Sequence, residues 1–337
     1  MIPDRKAASN RGTELSVIVP AFNEAQGIVT FLDILFDVLR GCCANFDVWV
    51  VDDGSRDDTW QCLHAARERY PELHALRFTR NFGKEAAVLA GLRQATGAAV
   101  VVMDSDGQHP PTLLPQMLAA WRAGEAQIIA AQKATRPTDR WLDRLSAHLF
   151  NKLMRIMTGL DLSAASDYRL LDRRVVDVLL EFPERVRFFR GMTVWTGFAT
   201  KQLAFDVAPR IAGTSHWSKA QLTKLAVNAI TAYSAKPLSL VFRFGLVGMV
   251  AAFALFVQAI YSWLAGIAVS GWTSVTVVLL FFGSANLLGI GVLGAYLAQI
   301  FDEIKARPEY LIKQDLEEVV PKPHSARSGQ EAKIKLN

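Results

Sequence analysis

The sequence predicts an α/β domain with a mostly parallel sheet and helices on both faces, followed by a hairpin of two transmembrane helices. Three observations support this prediction. Short apolar runs alternate with segments of helical periodicity over the first 131 residues, which is the pattern of a parallel sheet. Several of these runs end in polar turns. Two mainly apolar stretches follow between residues 238 and 300, and each is long enough to cross a bilayer.

The predicted strands show no alternation of polar and apolar residues, so we expect them to be buried on both faces. They are Leu15–Val19, Phe46–Val51, Leu73–Phe78, Ala99–Met103 and Ala126–Ala131. The helices expected between them are one that begins after Asn23, and three over about 57–69, 85–95 and 112–121. Asn23 is predicted to cap the first of these helices, since asparagine is favoured at that position.

Composition divides the chain into parts of different character. Hydrophobic residues make up 51% and charged residues 20% of the 337 residues, which is more apolar than an ordinary soluble enzyme. The net charge of +5 is too modest to indicate nucleic-acid binding by itself. The three cysteines have no metal-ligand spacing and no even pairing, which indicates a reducing, cytoplasmic setting. Residues 1–13 do not resemble a signal peptide, and we expect them to be flexible.

Polar turns follow the first, second and fourth predicted strands, and a parallel sheet would bring these turns to one edge. Asp104, Asp106 and Gln108 follow the fourth strand and offer only hard oxygen ligands, which suit Mg²⁺ or Mn²⁺ better than zinc. The alternative is an acidic turn that binds no ligand. Asp52 and Asp53 follow the second strand and are candidates for metal binding, helix capping or recognition of a base or ribose.

The sequence has no glycine-rich phosphate loop of the kinase or dehydrogenase type after any predicted strand. A site that binds phosphates without such a loop needs a metal ion and basic side chains. The basic candidates close in sequence to the polar turns are Arg80, Lys84, Lys133 and Arg136. Each of them could equally be a solvated surface residue.

Two segments have the pattern of amphipathic helices. Residues 139–160 place leucines on one helical face and four basic residues on the other, and residues 211–237 have a similar pattern. A basic amphipathic helix suits a membrane interface that contains anionic lipid, whereas packing against a protein core is the alternative. Between these segments, Arg190 follows two phenylalanines and is a candidate for binding a lipid phosphate.

The apolar stretches Leu238–Val269 and Val275–Ile300 are predicted to form a tight hairpin across the membrane, with residues 238–301 as its bounds. The linker between them is uncharged, whereas basic residues flank the entry and the exit of the hairpin, so both ends are expected in the cytoplasm. The flanking residues are Lys236, Arg243, Lys305, Arg307 and Lys313. Glycines on the second helix permit close helix packing. Residues 302–337 are expected to form a cytoplasmic tail.

Four motifs resemble those of the family 2 glycosyltransferases, namely VIVPAFNE (17–24), VVDDGSRDDT (50–59), RNFGKEAA (80–87) and DSDGQHPP (104–111). The resemblance continues through SDYRLLDRRVVD (166–177), FFRGM (188–192) and the apolar stretches, so it covers nearly the whole chain. The chain looks most like the polyprenyl-phosphate glycosyltransferases, which include bactoprenol glucosyltransferases and dolichol-phosphate mannose synthase. This resemblance implies the GT-A fold, a Rossmann-like and mostly parallel sheet, over residues 14–210.

The resemblance also implies roles for individual residues. The residues expected to bind substrates are Pro20, Phe22, Glu24, Asp52, Asp53, Arg80, Lys84, Lys133, Arg136 and Arg190. The metal would be held by Asp104, Asp106 and Gln108, with Asp106 also counted as catalytic. Asp167 and Arg169 would lie at the reacting phosphate and sugar, where Asp167 is either a general base or a positioning group.

Three features of the sequence qualify the resemblance. Gln132 and Lys133 stand where relatives often carry an arginine, and His109 lies within the expected metal turn. The QxxRW motif of processive synthases is absent, because Pro137 occupies the glutamine position before Arg140 and Trp141. Polymerisation of a sugar chain is therefore disfavoured.

The implied function is the inverting transfer of a sugar from a nucleotide sugar to polyprenyl (undecaprenyl) phosphate at the cytoplasmic membrane, for modification of cell-envelope glycans. Glucose and UDP are the best match for the sugar and the nucleotide. One alternative is a glycosyltransferase that acts on another lipid or on a polysaccharide. The other is a membrane-anchored scaffold that binds a nucleotide sugar without turnover. The resemblance also allows a homo-oligomer and gives no reason to expect a nucleic-acid partner.

Overall fold

Eight strands form a single sheet in the part of the chain that the computed structural model describes, which is residues 12–133, 156, 167–185, 187–205, 234, 236–266 and 271–316. In chain order they are β1 (Leu15–Ala21), β2 (Phe46–Asp52), β3 (Leu73–Phe78), β4 (Ala99–Val102), β5 (Ile128–Lys133), β6 (Arg169–Asp172), β7 (Thr200–Phe205) and β8 (Ile312–Asp315). Across the sheet the order is β7-β5-β6-β4-β1-β2-β3-β8.

Helices cover both faces of this sheet, as the sequence predicts. The helices are α1 (Ile28–Cys42), α2 (Thr59–Arg69), α3 (Lys84–Gln94), α4 (Leu114–Arg122), α5 (Arg173–Glu181), α6 (Phe189–Trp195), α7 (Lys236–Leu264) and α8 (Trp272–Ile304). Val17 and Val19 of β1 pack with α1, α2 and α4, whereas Ile18 packs on the opposite face with α3, α5 and α6. Adjacent strand residues point to opposite faces, so one strand contributes to both cores.

The sheet is mixed, because β6 and β8 run opposite to the other strands. β1 pairs in parallel with β2 and β4, and β2 with β3, so their carboxyl ends share one edge. β6 lies between β4 and β5 and is antiparallel to both. The beginning of β6 therefore lies at the same edge as the ends of the parallel strands. The sequence marks residues 166–177 only as a motif and does not predict this strand.

The bounds of the predicted elements agree with the structure to within two residues from β1 to β5, except at the start of α1. The prediction that Asn23 caps α1 is wrong, because Gly27 occupies the N-cap position. Asn23 has a φ of 56°, and its side-chain Oδ1 accepts a hydrogen bond from the Arg56 backbone N–H. Asparagine tolerates this left-handed conformation, and here it joins the turn after β1 to the turn after β2.

Two helices, α7 and α8, have the length and composition needed to cross a membrane, over Lys236–Ser262 and Phe281–Ile304. Many of the large apolar side chains on both helices are exposed, as lipid-facing residues would be. A Cβ at Gly289 of α8 would lie only 3.0 Å from Val241 Cγ1 on α7, so this glycine lets the two helices approach closely.

Part of the predicted tail over 302–337 belongs to folded elements. Residues 302–304 continue α8, and β8 then pairs antiparallel with β3 at the edge of the sheet. The Tyr310 ring stacks on Phe78 with centroids 4.9 Å apart, and the Thr79 N–H donates to the Leu311 carbonyl. The chain therefore returns from the apolar helices to the sheet. Strand pairing between residues more than 230 positions apart leaves no local pattern in the sequence.

Several predictions fall on residues outside the described part of the chain. They concern the flexible N-terminus up to residue 11, Arg136, nearly all of the amphipathic segments 139–160 and 211–237, and the tail beyond residue 316. The proposed division of the chain into domains stays a prediction.

Candidate active site

The turns after β1 and β2 hold each other through side-chain hydrogen bonds to backbone groups. The Asn23 N–H donates to Ser55 Oγ at 2.9 Å, and the Glu24 N–H donates to Thr59 Oγ1 at 2.9 Å. Pro20 lies in β1, and its carbonyl accepts a hydrogen bond from Ser105 Oγ at 3.3 Å. Motif residues that the sequence assigns to substrate binding are thus part of the framework that positions the edge of the sheet.

Asp52 is fully buried and acts on its own neighbours. Its Oδ1 accepts a hydrogen bond from the Ser55 N–H at 2.8 Å, and Arg77 Nε lies 3.3 Å from its Oδ2. Arg77 also donates to the Ser55 carbonyl at 3.0 Å. These contacts fix the turn after β2 and hold the Arg77 guanidinium in place, so Asp52 supports the site without facing its cavity.

Asp53 ties the turn after β2 to the loop before α3. Its two oxygens accept hydrogen bonds from the N–H groups of Phe82 at 2.6 Å and Gly83 at 2.9 Å. Burial raises the pKa of Asp53 to about 6, and these two hydrogen bonds oppose the rise. Gly54 has a φ of +69°, and a Cβ there would lie 2.4 Å from the Arg80 carbonyl carbon, so the two loops touch where only glycine fits.

A cavity of about 310 Å³ opens beside these loops. It is lined by Phe22, Gly54, Ser55, Arg56, Arg77, Phe78, Thr79, Arg80, Asn81 and Lys313. The Phe22 ring is 41% exposed, and the Arg80 guanidinium lies 4.0 Å from the centroid of the Phe82 ring. An exposed aromatic ring together with four basic residues suits a ligand with both a flat aromatic group and negative charge.

Four charged side chains form a cluster at the centre of the same edge. Lys84 Nζ lies 2.5 Å from Asp104 Oδ1 and 2.7 Å from Asp167 Oδ2. Arg190 binds Asp167 through two parallel contacts, at 2.6 Å from Nε and 2.9 Å from the second guanidinium nitrogen. The cluster joins α3, the turn after β4, the start of β6 and α6. We call it the Asp167 cluster.

The charges in the Asp167 cluster reinforce one another. Burial alone would raise the pKa of Asp167, but Lys84 and Arg190 outweigh it and hold that pKa well below its usual range. Burial alone would lower the pKa of Lys84, but Asp104 and Asp167 raise it above its usual range. Both residues therefore stay charged at neutral pH.

Glu85 lies next to the Asp167 cluster and is held differently. Its Oε2 accepts a hydrogen bond from the Phe189 N–H at 2.8 Å, at the start of α6. Burial, together with the negative charge of Asp167, raises the pKa of Glu85 to about 7. The residue lies inside the RNFGKEAA motif, but no sequence signal separates its role from that of Lys84.

The turn after β4 is held by its own side chains. The Gln108 N–H donates to Asp106 Oδ1 at 3.0 Å, and the Asp104 N–H donates to His109 Nδ1 at 3.0 Å. His109 stacks on Tyr168 with centroids 5.1 Å apart, and burial lowers its pKa, so it is a neutral acceptor. The departure from the family pattern at His109 therefore serves the geometry of the turn.

The donor set of this turn fits a divalent metal. Among the described residues, no three His, Cys, Asp or Glu side chains form a metal-binding group. Mg²⁺, however, is commonly held by one or two carboxylates together with substrate phosphates and water. Asp104 and Asp106, with the Gln108 amide, offer this kind of partial oxygen set, and Lys84 already neutralises Asp104.

The remaining predicted residues lie at different depths. Arg169 is 2% exposed on β6, its side chain donates to Thr193 Oγ1, and burial lowers its pKa to about 10. It lies beneath the edge instead of in the open cavity. Lys133 ends β5 and pairs with Phe205, which places it at the same edge as the other strand ends.

Comparison with known proteins decides the family. The glycosyl transferase family 2 model matches residues 16–180. The bactoprenol glucosyl transferase derived from prophage SfII of Shigella flexneri is 36% identical over 89% of this chain and 98% of its own length. The chain belongs to glycosyl transferase family 2. An uncharacterised glycosyltransferase of Synechocystis is 33% identical over 89% of this chain and 94% of its own length.

The family assignment makes this chain a glycosyltransferase and confirms the fold class read from the sequence. Among solved structures, mannosyl-3-phosphoglycerate synthase from Rubrobacter xylanophilus aligns with a TM-score of 0.45 and 17% identity, over 71% of this chain and 78% of that chain. The matched family region ends within α5. Arg190, the apolar helices and β8 therefore lie beyond the region that the family model describes.

Glu85 leads to a prediction about pH and stability in this family 2 glycosyltransferase. Its folded-state pKa of about 7 exceeds the ordinary glutamate pKa of 4.5, so the folded state binds more protons than the unfolded state between these pH values. Stability from this group is then full below pH 4.5 and is lost as the pH rises through 7. Glu85→Gln, which keeps the acceptor for Phe189, should be more stable than the wild type by about 2 kcal/mol at pH 8.

The measurement is urea unfolding of both proteins in detergent at pH 8 and pH 5. The difference in unfolding free energy should shrink towards zero at the lower pH. A difference that is the same at both pH values would contradict the raised pKa of Glu85.

Proposed function

We propose that this protein transfers a sugar from a nucleotide diphosphate sugar to a polyprenyl phosphate at a membrane surface. The observation that carries the proposal is the Asp167 cluster, which presents Lys84 and Arg190 beside the oxygen-rich turn after β4. Relatives at 35–36% identity that are named bactoprenol glucosyl transferase or its homologue support the polyprenyl acceptor. The same names support glucose as the sugar, and UDP is our choice of nucleotide from the resemblance of the sequence motifs.

The cavity between the turns after β2 and β3 is the proposed nucleotide site. Phe22 offers an exposed ring for contact with the base, and Arg80 offers a cation for the diphosphate. A divalent metal held by Asp104, Asp106 and Gln108 would stabilise the negative charge that develops on the leaving diphosphate.

In the proposed reaction an oxygen of the lipid phosphate attacks the anomeric carbon. The new carbon–oxygen bond forms on the face opposite the bond to the leaving nucleoside diphosphate, which breaks, so the anomeric configuration inverts. A phosphate monoester is largely a dianion at pH 7, since its second pKa is near 6. The nucleophile thus needs no strong general base, and the chain's task is to align two groups of like charge.

Lys84 and Arg190 are the cations proposed to separate these like charges. Asp167 is the positioning group between them, because both of its oxygens are engaged by the two cations. Its lowered pKa makes it a poor proton acceptor, which favours positioning over the general-base role that the sequence leaves open. Arg136 is retained as a further proposed cation.

The metal proposal predicts a strict dependence of turnover on Asp106 and on a divalent cation. Asp106→Ala should lower turnover at least about 100-fold, since it removes a hard oxygen donor at the site of developing charge. Asp37→Ala is the matched control, because Asp37 is an exposed acid on α1. Activity should be lost in excess chelator and return with Mg²⁺ or Mn²⁺. Full activity in chelator would exclude the metal role.

The acceptor proposal predicts which nucleotide is released. Purified full-length protein is incubated with polyprenyl phosphate and a panel of sugar nucleotides, and the lipid and nucleotide products are identified by mass. Attack by the lipid phosphate on the anomeric carbon should yield nucleoside diphosphate and a sugar joined to the lipid through one phosphate. Release of nucleoside monophosphate, with a diphosphate linkage in the lipid, would overturn the proposed chemistry.

We further propose that α7 and α8 cross the cytoplasmic membrane and leave the sheet in the cytoplasm, where nucleotide sugars are made. Basic residues at Lys236, Lys305 and Arg307 support this orientation. In a background without native cysteines, Gly271→Cys should react in intact cells with a thiol reagent that does not cross membranes. Gln61→Cys, on the exposed part of α2, should react only after lysis. The reverse pattern would refute this sidedness.

A further inference from the structure

The last strand of the sheet contains an irregularity at Lys313. Arg77 of β3 pairs with Gln314, and the next residue of β3, Phe78, pairs with Ile312. Lys313 is thus an additional residue on β8, which is the arrangement of a β-bulge. Such bulges redirect side chains at sheet edges, and here Lys313 lines the 310 Å³ cavity together with Phe22, although it follows the membrane helices in the chain.

Two of the other three cations of the cavity, Arg77 and Arg80, have partners within the protein. Arg77 is held by Asp52, by the Ser55 carbonyl and by Gln314 on β8. Arg80 donates to the Asn81 carbonyl and lies over the Phe82 ring. In the part of the chain that the structure describes, Lys313 is exposed and its ammonium group has no acidic or hydrogen-bonding partner. Lys313 is therefore available to a ligand in this cavity, as is the exposed Arg56 of the turn after β2.

We propose that Lys313 is a donor-binding residue, which contacts the diphosphate of the nucleotide sugar from the β8 side of the cavity. The inference rests on the proposed function, since it assigns the cavity to the nucleotide. An ammonium group on a flexible stem suits a diphosphate, because it provides charge without demanding one fixed geometry. The family motifs that point to the nucleotide do not include this residue, which lies outside the matched region 16–180.

The placement also makes the donor site depend on the return of the chain from the membrane. Lys313 lies only nine residues beyond Ile304, the last residue of α8. Between them, Glu309 pairs with Arg93 of α3 at 3.2 Å and Tyr310 stacks on Phe78. These contacts hold the segment against α3 and the sheet before β8 begins. They therefore fix the position of the bulge beside the cavity.

The test compares nucleotide binding and turnover in full-length protein in detergent. Lys313→Ala should weaken the affinity for nucleoside diphosphate about 5- to 20-fold and raise KM for the sugar nucleotide to a similar extent, with kcat within about twofold. Affinity for the uncharged nucleoside should not change, because the lost contact is to phosphate. Lys313→Arg should recover most of the binding. Lys201→Ala is the matched control, since Lys201 lies on β7 and pairs with Glu125.

The outcomes separate this inference from the proposed function. If the wild type binds none of UDP, GDP and TDP by calorimetry, the assignment of the cavity to a nucleotide fails and the inference fails with it. If the wild type binds one of them and Lys313→Ala binds it equally well, only the role of Lys313 is refuted. An equal loss for nucleoside and nucleoside diphosphate would also refute a phosphate contact. A selective loss for the diphosphate, restored by arginine, supports the proposal.

Discussion

The paired charges around Asp167 are the constraint on which the rest of the site depends. Asp167 is 14% exposed in its side chain and faces two cations from different helices, Lys84 on α3 and Arg190 on α6. Removing either cation would leave the largely buried Asp167 carboxylate with only one of its two cationic partners, which is destabilising because a buried charge needs compensation. The cluster therefore fixes the relative position of two helices and the start of β6. The position of these groups at the edge of the sheet is thus held by the protein's own charges.

The parts of the fold that the sequence predicts are those whose signals are local. The strands β1 to β4 and their polar ends follow from continuous apolar runs, and the Asp104 turn follows from its position after such a run. β6 is only four residues long and lies reversed between β4 and β5, so its strand character comes from pairing with both neighbours. Its reversal, which no local pattern encodes, is what carries Asp167 to the functional edge.

The roles of individual site residues were harder to predict than their location. Asp53 has the expected place, yet its oxygens bind the backbone of Phe82 and Gly83, and the motif does not reveal this. Arg169 belongs to the predicted motif but lies inside β6, two residues further into the sheet than Asp167, where its buried side chain donates to Thr193 Oγ1 of α6. From the sequence, Lys313 is predicted only as one of the basic residues that flank the predicted hairpin and indicate its orientation. The donor-binding role proposed for it depends on the pairing of β8 with β3, which is far away in the chain.

The apolar helix α8 is connected to the site in two ways. At the end of α8, Glu303 accepts hydrogen bonds from the Arg185 N–H at 2.9 and 3.1 Å, so the helix end is attached to the segment that leads into α6. The same segment carries Arg190 into the Asp167 cluster, while the residues beyond α8 continue into β8 and the wall of the cavity. The end of α8 is therefore connected both to the segment that carries Arg190 and to the strand that carries Lys313. On the proposed function, the acceptor would enter from the membrane and the donor from the cytoplasm, and this double attachment keeps the two walls at one distance from the bilayer.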